Sequence, residues 1–276
     1  MNKLAASWEL VKASFRVIKA DKELMIFPLI SSIGLVFVTL TFLVPSLFAG
    51  IFEESSLGFI SYLILFLFYM VQYTVIFFFN TALVGAATIR LQGGDPTLKD
   101  GFRIAFSRLG AILGYSAIAA TVGLILRALS RKGNLGRFIS SIFGLAWNVA
   151  TFLVVPVLAI EGVGPIEAIK RSVHHLRRSW GEQIIGNLGI GGFFTLAFFL
   201  LILLFVPLLW LVIAYVQYTW AIITTIALMV LALMFLGLIQ STLNGIYTAA
   251  VYQYATTGKS SGFFDESLVQ QAFRPE

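Results

Sequence analysis

Few side chains in this sequence are equipped for covalent or acid–base chemistry, and those few do not converge. There is no cysteine, which removes disulfides, thiolate metal sites and cysteine nucleophiles together. The only histidines, His174 and His175, are neighbours. On a helix, neighbours diverge by about 100°, so this pair does not grip one metal ion as residues four apart would. They read as members of a cationic face, and a Ser-His-Asp arrangement would have to draw on the same pair. The sharpest local pattern is Glu161-Gly162-Val163-Gly164-Pro165. Its glycines permit a turn, Pro165 suits a helix first turn, and Glu167 sits where the helix dipole favours a carboxylate. That role is structural. Glu161 and Glu182 flank a basic stretch and can pair with Arg171 or Arg178. No phosphate loop, dinucleotide fingerprint or metal-ligand spacing is present. The expectation is no enzyme, with no catalytic residue, metal or cofactor.

What remains is neutral and polar. Gln72, Asn80, Asn148, Asn187, Gln240 and Asn244 lie within long apolar runs, and no Asp, Glu, Lys or Arg stands in the middle of any run. Ion-coupled carriers usually keep an ionisable or dense polar group near the membrane midplane, so coupled transport is disfavoured. Interhelical amide bonds worth about 0.6–2 kcal/mol explain such residues as packing; a polar pathway is the second reading. Asn80, Asn148 and Asn244 share a register. Each precedes by fourteen residues a glycine that ends its run, Gly94, Gly162 and Gly258, in a chain with six asparagines. At 1.5 Å per helical residue that puts each about 21 Å from its turn. At least two of these amides are expected to face the interior, against another helix or a small hydrated cavity, since lipid would leave them unpaired.

The elements that must position these residues are apolar and long. Of 276 residues 59% are apolar and 12% charged, with a mean hydropathy of +0.93, which excludes an ordinary soluble domain. Six runs can each cross a hydrocarbon core: Leu24–Gly50, Leu57–Ile89, Leu109–Leu129, Phe138–Ile160, Ile184–Leu211 and Trp220–Tyr254. The turn between the last two is placed by Pro207, Trp210, Tyr215, Gln217, Tyr218 and Trp220. Lys and Arg in alternate segments sum to fifteen against four, which predicts both termini in the cytoplasm of an inner (plasma) membrane and Glu53 and Glu54 outside. Arg127, Arg131, Lys132 and Arg137 are the exception. They either line an external mouth that attracts anions or mark an incomplete third crossing; the even span count favours the full crossing. The first 23 residues show no cleavable signal peptide. Small residues at Gly110, Gly114, Gly186, Gly189, Gly191 and Gly192 predict close helix packing, with a hinge as the alternative.

Three stretches before the odd-numbered spans carry an amphipathic stripe. Leu4, Trp8, Val11, Phe15 and Ile18 form the first; Leu98, Phe102, Phe106 and Leu109 the second; Ile166, Ile169, Val173, Leu176 and Trp180 the third. They align residue for residue, with Ser14, Ala105 and Ser172 at one small position and Lys12, Arg103 and Lys170 at one basic position. The fold expected is all-α integral membrane: a single domain over 1–258 of six transmembrane helices in three interfacial-helix-plus-hairpin repeats, 1–92, 93–162 and 163–258. The tail 259–276, with Phe264, Leu268 and Phe273 on one face, is expected to form a short cytosolic cap.

The segment Val155 to Gly162, then Pro165-Ile166-Glu167-Ala168-Ile169-Lys170-Arg171-Ser172, then Trp180, resembles the membrane domain fused to some glycerophosphoryl diester phosphodiesterases and related stand-alone six-helix inner-membrane proteins. The likeness spans about 25 residues and is compatible in hydropathy beyond them. It implies the six-helix repeat architecture and no catalytic residue, because the phosphodiesterase is a separate soluble domain.

The net charge of +6 flanks the apolar runs, which points to anionic phospholipid rather than nucleic acid. Lys12, Arg16, Lys19, Arg103, Arg108, Lys170, Arg171, Arg177 and Arg178 are the expected headgroup residues. The functional expectation is a non-enzymatic membrane protein acting in membrane organisation, recruitment of a soluble or membrane protein partner, or lipid handling. The alternative is a channel or permease for a neutral or anionic solute. Oligomeric state is open.

Overall fold

The computed structural model describes residues 3–48, 59–177, 183–258 and 262–263. Ten α-helices are present among them: α1 (Lys3–Ala20), α2 (Ile26–Phe48), α3 (Phe59–Leu91), α4 (Leu98–Ser107), α5 (Leu109–Ser130), α6 (Gly133–Ala150), α7 (Val154–Glu161), α8 (Pro165–Arg177), α9 (Gln183–Leu211) and α10 (Thr219–Thr257). Six stretches of the described chain are long and apolar enough to cross a membrane, one of them formed by α6 and α7 together. They fit a multi-pass membrane protein.

The short helices begin and end for local reasons. At α4, Thr97 and Asp100 form a reciprocal capping box that holds the Asp100 carboxyl below the usual carboxylate range. At α8, Pro165 occupies the first turn, where its missing N–H is no loss. Gly93, Gly162 and Gly258 follow α3, α7 and α10 with φ of +88°, +67° and +67°. In the first of these turns the left-handed residue is Gly93 and not Gly94, so the interval from Asn80 is thirteen residues. Between α9 and α10 the chain passes through a π-turn at Val212–Val216 and a left-handed Gln217. Trp210, Tyr215, Tyr218 and Trp220 stand exposed around that tip.

The central helix is α3, packed by α2, α4, α5, α7 and α10. Its Ala82, Leu83, Val84, Ala86 and Ala87 are buried, and Leu83 fills the notch left by Gly245 on α10. Gln72 of α3 donates to Thr39 Oγ1 of α2 at 2.9 Å, an interhelical amide bond. Gly114 lies against Pro165, whereas Gly110, Gly191 and Gly192 meet no neighbour that a Cβ would touch. The packing of Gly186 and Gly189 and the side chain of Asn187 fall outside what is described, as do Glu53, Glu54, Trp180, Glu182 and the tail beyond Phe263.

The short helices follow one another around one end of the bundle. α4 lies on α3, with Phe102 against Phe27 at the start of α2; α8 lies on α7 and α5; α1 lies on α10 and α9. Ser14, Ala105 and Ser172 are each fully buried in these contacts.

The fourth span departs from the continuous helix expected over Phe138–Ile160. It is interrupted at Thr151–Leu153, between α6 and α7. Pro156 contributes, having no N–H for the Phe152 carbonyl and a ring that crowds it, although Pro45 and Pro207 lie inside the unbroken helices α2 and α9. Around the break, Phe152 N–H turns to Val149 O at 3.3 Å and Val154 N–H to Thr151 O at 3.1 Å. Those tightened bonds leave the Leu153 N–H and the Ala150 C=O without helical partners. The Ser172 hydroxyl of α8 serves both, accepting from Leu153 N at 3.1 Å and donating to Ala150 O at 2.7 Å. At the aligned position of α1, the buried Ser14 hydroxyl has no partner among the described residues.

The two serines therefore predict opposite outcomes. Ser172→Ala strands a buried donor and acceptor and lowers stability by about 1–3 kcal/mol, whereas Ser14→Ala is neutral or slightly stabilising. Thermal unfolding of the two purified variants in one detergent checks this; equal losses would contradict it.

Candidate functional site

Two polar centres lie inside the bundle. The first is built where α7 stops. Gly162 ends that helix in a left-handed conformation that favours glycine, and the Arg108 guanidinium occupies the space where a Cβ would stand. Arg108 links α4 to α5, which brings its cation against the carbonyl end of α7, the negative end of the helix dipole. Glu161, the last residue of α7, is the hub. Its Oε2 accepts from Arg171 Nη1 at 2.5 Å, and its Oε1 accepts from the Tyr252 hydroxyl at 2.8 Å and lies 3.1 Å from His175 Nε2. Arg171 also donates to Glu167 one turn back on α8, at 3.1 Å. Both carboxylates bind the Arg171 proton more firmly and raise its pKa.

This carboxylate joins α7, α8 and α10. Its oxygens are engaged by three side chains, those of Arg171, His175 and Tyr252. Among the described residues no group of three His, Asp or Glu side chains could hold a metal. His174 is exposed while His175 turns toward Glu161, with their ring centroids 6.0 Å apart and their planes at 69°. Tyr252 carries no signal of its own in the sequence, being one of several aromatic residues in the last turns of α10.

The second centre is a cavity of about 360 Å³ among α3, the break in the fourth span and α10. Asn80, Gln240, Ser241, Asn244 and Thr248 supply its polar lining, and Val84, Phe152, Val155, Gly237 and Gly245 the remainder. Asn80 and Asn244 thus share one site, although Asn148 does not join them and is exposed on α6. The interruption at Thr151–Leu153 explains the difference, because a fourteen-residue spacing fixes depth and direction only along an unbroken helix. Gln240, Asn244 and Thr248 recur every four residues on α10, a spacing that was present in the sequence as a stripe on one helical face.

The cationic residues divide. Lys19 and Lys170 are exposed. Lys12 pairs with Glu9 at 2.7 Å and Arg103 with Asp100 at 2.7 Å, both on outward faces. Arg16 donates to the Phe263 carbonyl at 2.9 Å, tying α1 to the start of the tail. Arg108 lies against Gly162, and Arg171 pairs with Glu161 while its side chain stays partly exposed. The Arg177 side chain and Arg178 lie outside the described residues. Arg127, at the other end of the bundle, donates to the Tyr69 hydroxyl at 2.6 Å.

Glu161 and Glu167 predict unequal losses. Glu161→Ala removes an acceptor of charged hydrogen bonds at a mostly buried position and costs about 2–3 kcal/mol. Glu167→Ala loses an exposed pair one turn apart, worth at most about 0.5 kcal/mol. Chemical or thermal denaturation of both variants measures the gap, and similar losses would remove Glu161 as the hub.

Residues 59–263, about three quarters of the chain, match the model of a family of unknown function, DUF6159. That span runs from the first residue of α3 to the contact between Arg16 and Phe263, and it holds both polar centres. No curated protein matches the chain. With most of its length covered by the match, the chain belongs to the DUF6159 family of unknown function.

Proposed function

We propose that the protein is a non-enzymatic inner-membrane protein whose basic interfacial helices bind anionic phospholipid, in the service of membrane organisation, partner recruitment or lipid handling. One observation carries the reading. On α1, α4 and α8 a small residue is fully buried, Ser14, Ala105 or Ser172, while a cation on the same helix, Lys19, Arg103 or Lys170, is exposed. Helices seated in this way offer their charge outward, where each cation near an anionic surface contributes about 1 kcal/mol.

The packing order supports three repeats, 1–92, 93–162 and 163–258, because each short helix lies on the hairpin of the preceding unit and α1 completes the circuit on the α9–α10 hairpin. The positive-inside bias then puts this end, and both termini, in the cytoplasm. A soluble or membrane protein partner would meet the same face; nucleic acid has no place in this reading. The likeness to the phosphodiesterase membrane domain adds architecture and no activity. A second reading, a channel or permease for a neutral or anionic solute, is favoured by the cavity at Asn80 and Asn244.

The test is thermal unfolding of the purified full chain in mixed micelles. Phosphatidylglycerol should raise the melting temperature more than phosphatidylcholine does. The triple variant Lys19→Gln, Arg103→Gln, Lys170→Gln should lose that difference while unfolding normally without lipid. An undiminished difference, or equal stabilisation by the two lipids, would reject the electrostatic reading. Solute flux in liposomes that disappears in Asn80→Leu would favour the permease.

A further inference from the structure

The cavity has a definite chemical character. Every polar group in its lining is neutral, and no cation or carboxylate is among them. A charged ligand there would be desolvated without a counter-charge, at a cost of several kcal/mol. The lining nevertheless offers unused hydrogen-bonding capacity. Asn244 Oδ1 is buried and has no partner among the described residues. Asn80, Gln240 and Ser241 make no side-chain hydrogen bond to a described residue, while Thr248 donates its hydrogen to the Asn244 carbonyl at 2.7 Å and keeps its lone pairs. Phe152, at the cavity wall, has a carbonyl that Pro156 cannot serve. The result is a neutral polar lining with unused hydrogen-bonding capacity on two sides, from Asn80 on α3 and from Gln240 and Asn244 on α10.

Its position limits what can enter. Along α10 the apolar residues toward the Trp220 tip that share the helical face of Gly237 and Asn244 are exposed, Ile226 at 41% and Val230 at 45%. From Thr242 onward the same helix is packed, with Leu243 and Ile246 fully buried. The cavity, lined from Gly237 to Thr248, lies at that transition. A tail can lie on the exposed apolar stripe while a polar group occupies the chamber.

We propose that this cavity binds an uncharged hydroxyl-bearing group, most simply the glycerol hydroxyl of a neutral glyceride drawn from the bilayer. The hydroxyl donates to Asn244 Oδ1 and accepts from the amide of Asn80 or Gln240, while the acyl chains follow Val230 and Ile226. The site does not depend on the anionic-lipid reading, since none of the headgroup cations lines it. A water-soluble polyol presents the same hydroxyl without the chains, and the two sources are separable by experiment.

The experiment is native mass spectrometry of the full chain, titrated with dioctanoylglycerol, with glycerol and with dioctanoyl phosphatidic acid. A single dioctanoylglycerol adduct is expected, with Asn244→Leu weakening it about tenfold or more, as loss of a buried hydrogen bond would. Gln240→Leu provides the same test should Asn244→Leu fail to fold, and Asn148→Leu, at the exposed member of the register, should bind like the parent. Glycerol competing at similar concentration would support the hydroxyl site with an aqueous source. Phosphatidic acid binding as well as the glyceride, no adduct of either hydroxyl compound, or adducts unaffected by Asn244→Leu and Gln240→Leu would overturn the proposal.

Discussion

A helix that breaks inside an apolar layer strands backbone groups that water cannot reach, and this constraint organises the described part of the molecule. Pro156 removes one helical hydrogen bond at the break, and the Leu153 amide and Ala150 carbonyl are the groups left over. Ser172 satisfies both only if α8 lies against the break. Glu161 holds it there through Arg171 and His175, and binds α10 to the same point through Tyr252. The motif from Val155 to Ser172 is thus one device: proline helps to open the helix, glycine turns the chain, and the Arg-Ser step closes the opening from the other side.

The same break shapes the cavity. Phe152 and Val155 could not face Asn80 and Asn244 in their present way from an uninterrupted fourth span, because α6 carries Asn148 out to an exposed face. A structural defect at one level therefore creates a polar chamber at the next. The Glu161 hub and the neutral chamber are both built on α7 and α10, so movement of α8 away from the break would reach both.

Much of this architecture was legible in the sequence. The third span, expected at Leu109–Leu129, is α5 at Leu109–Ser130, because the charge-free run from Leu109 to Leu126 is bounded by Arg108 and Arg127 and leaves little choice of ends. The short helices were legible too, from stripes that start at Leu98 and at Ile166, one residue after Pro165. The break was legible only in part: Pro156 marks a place where a helix can open, but Pro45 and Pro207 carry the same mark inside unbroken helices, and the group that closes the opening is a hydroxyl about 20 residues downstream. Spacing could not place Arg108, whose cation lies against a glycine more than 50 residues away. Local periodicity specifies elements; the partners of stranded polar groups are specified only by how the elements meet.

The central claim is that α8 is seated on the fourth span and α5 as one rigid junction. A Cβ at Gly114 of α5 would lie 3.6 Å from the Cβ of Pro165, a separation suited to a disulfide, and the chain contains no other cysteine. Mild oxidation of the Gly114→Cys, Pro165→Cys double variant in intact membranes is therefore the most direct measurement. The account predicts a near-complete intramolecular cross-link, read by loss of both thiols to alkylation. Two thiols that stay free and alkylate freely under that oxidation would contradict it.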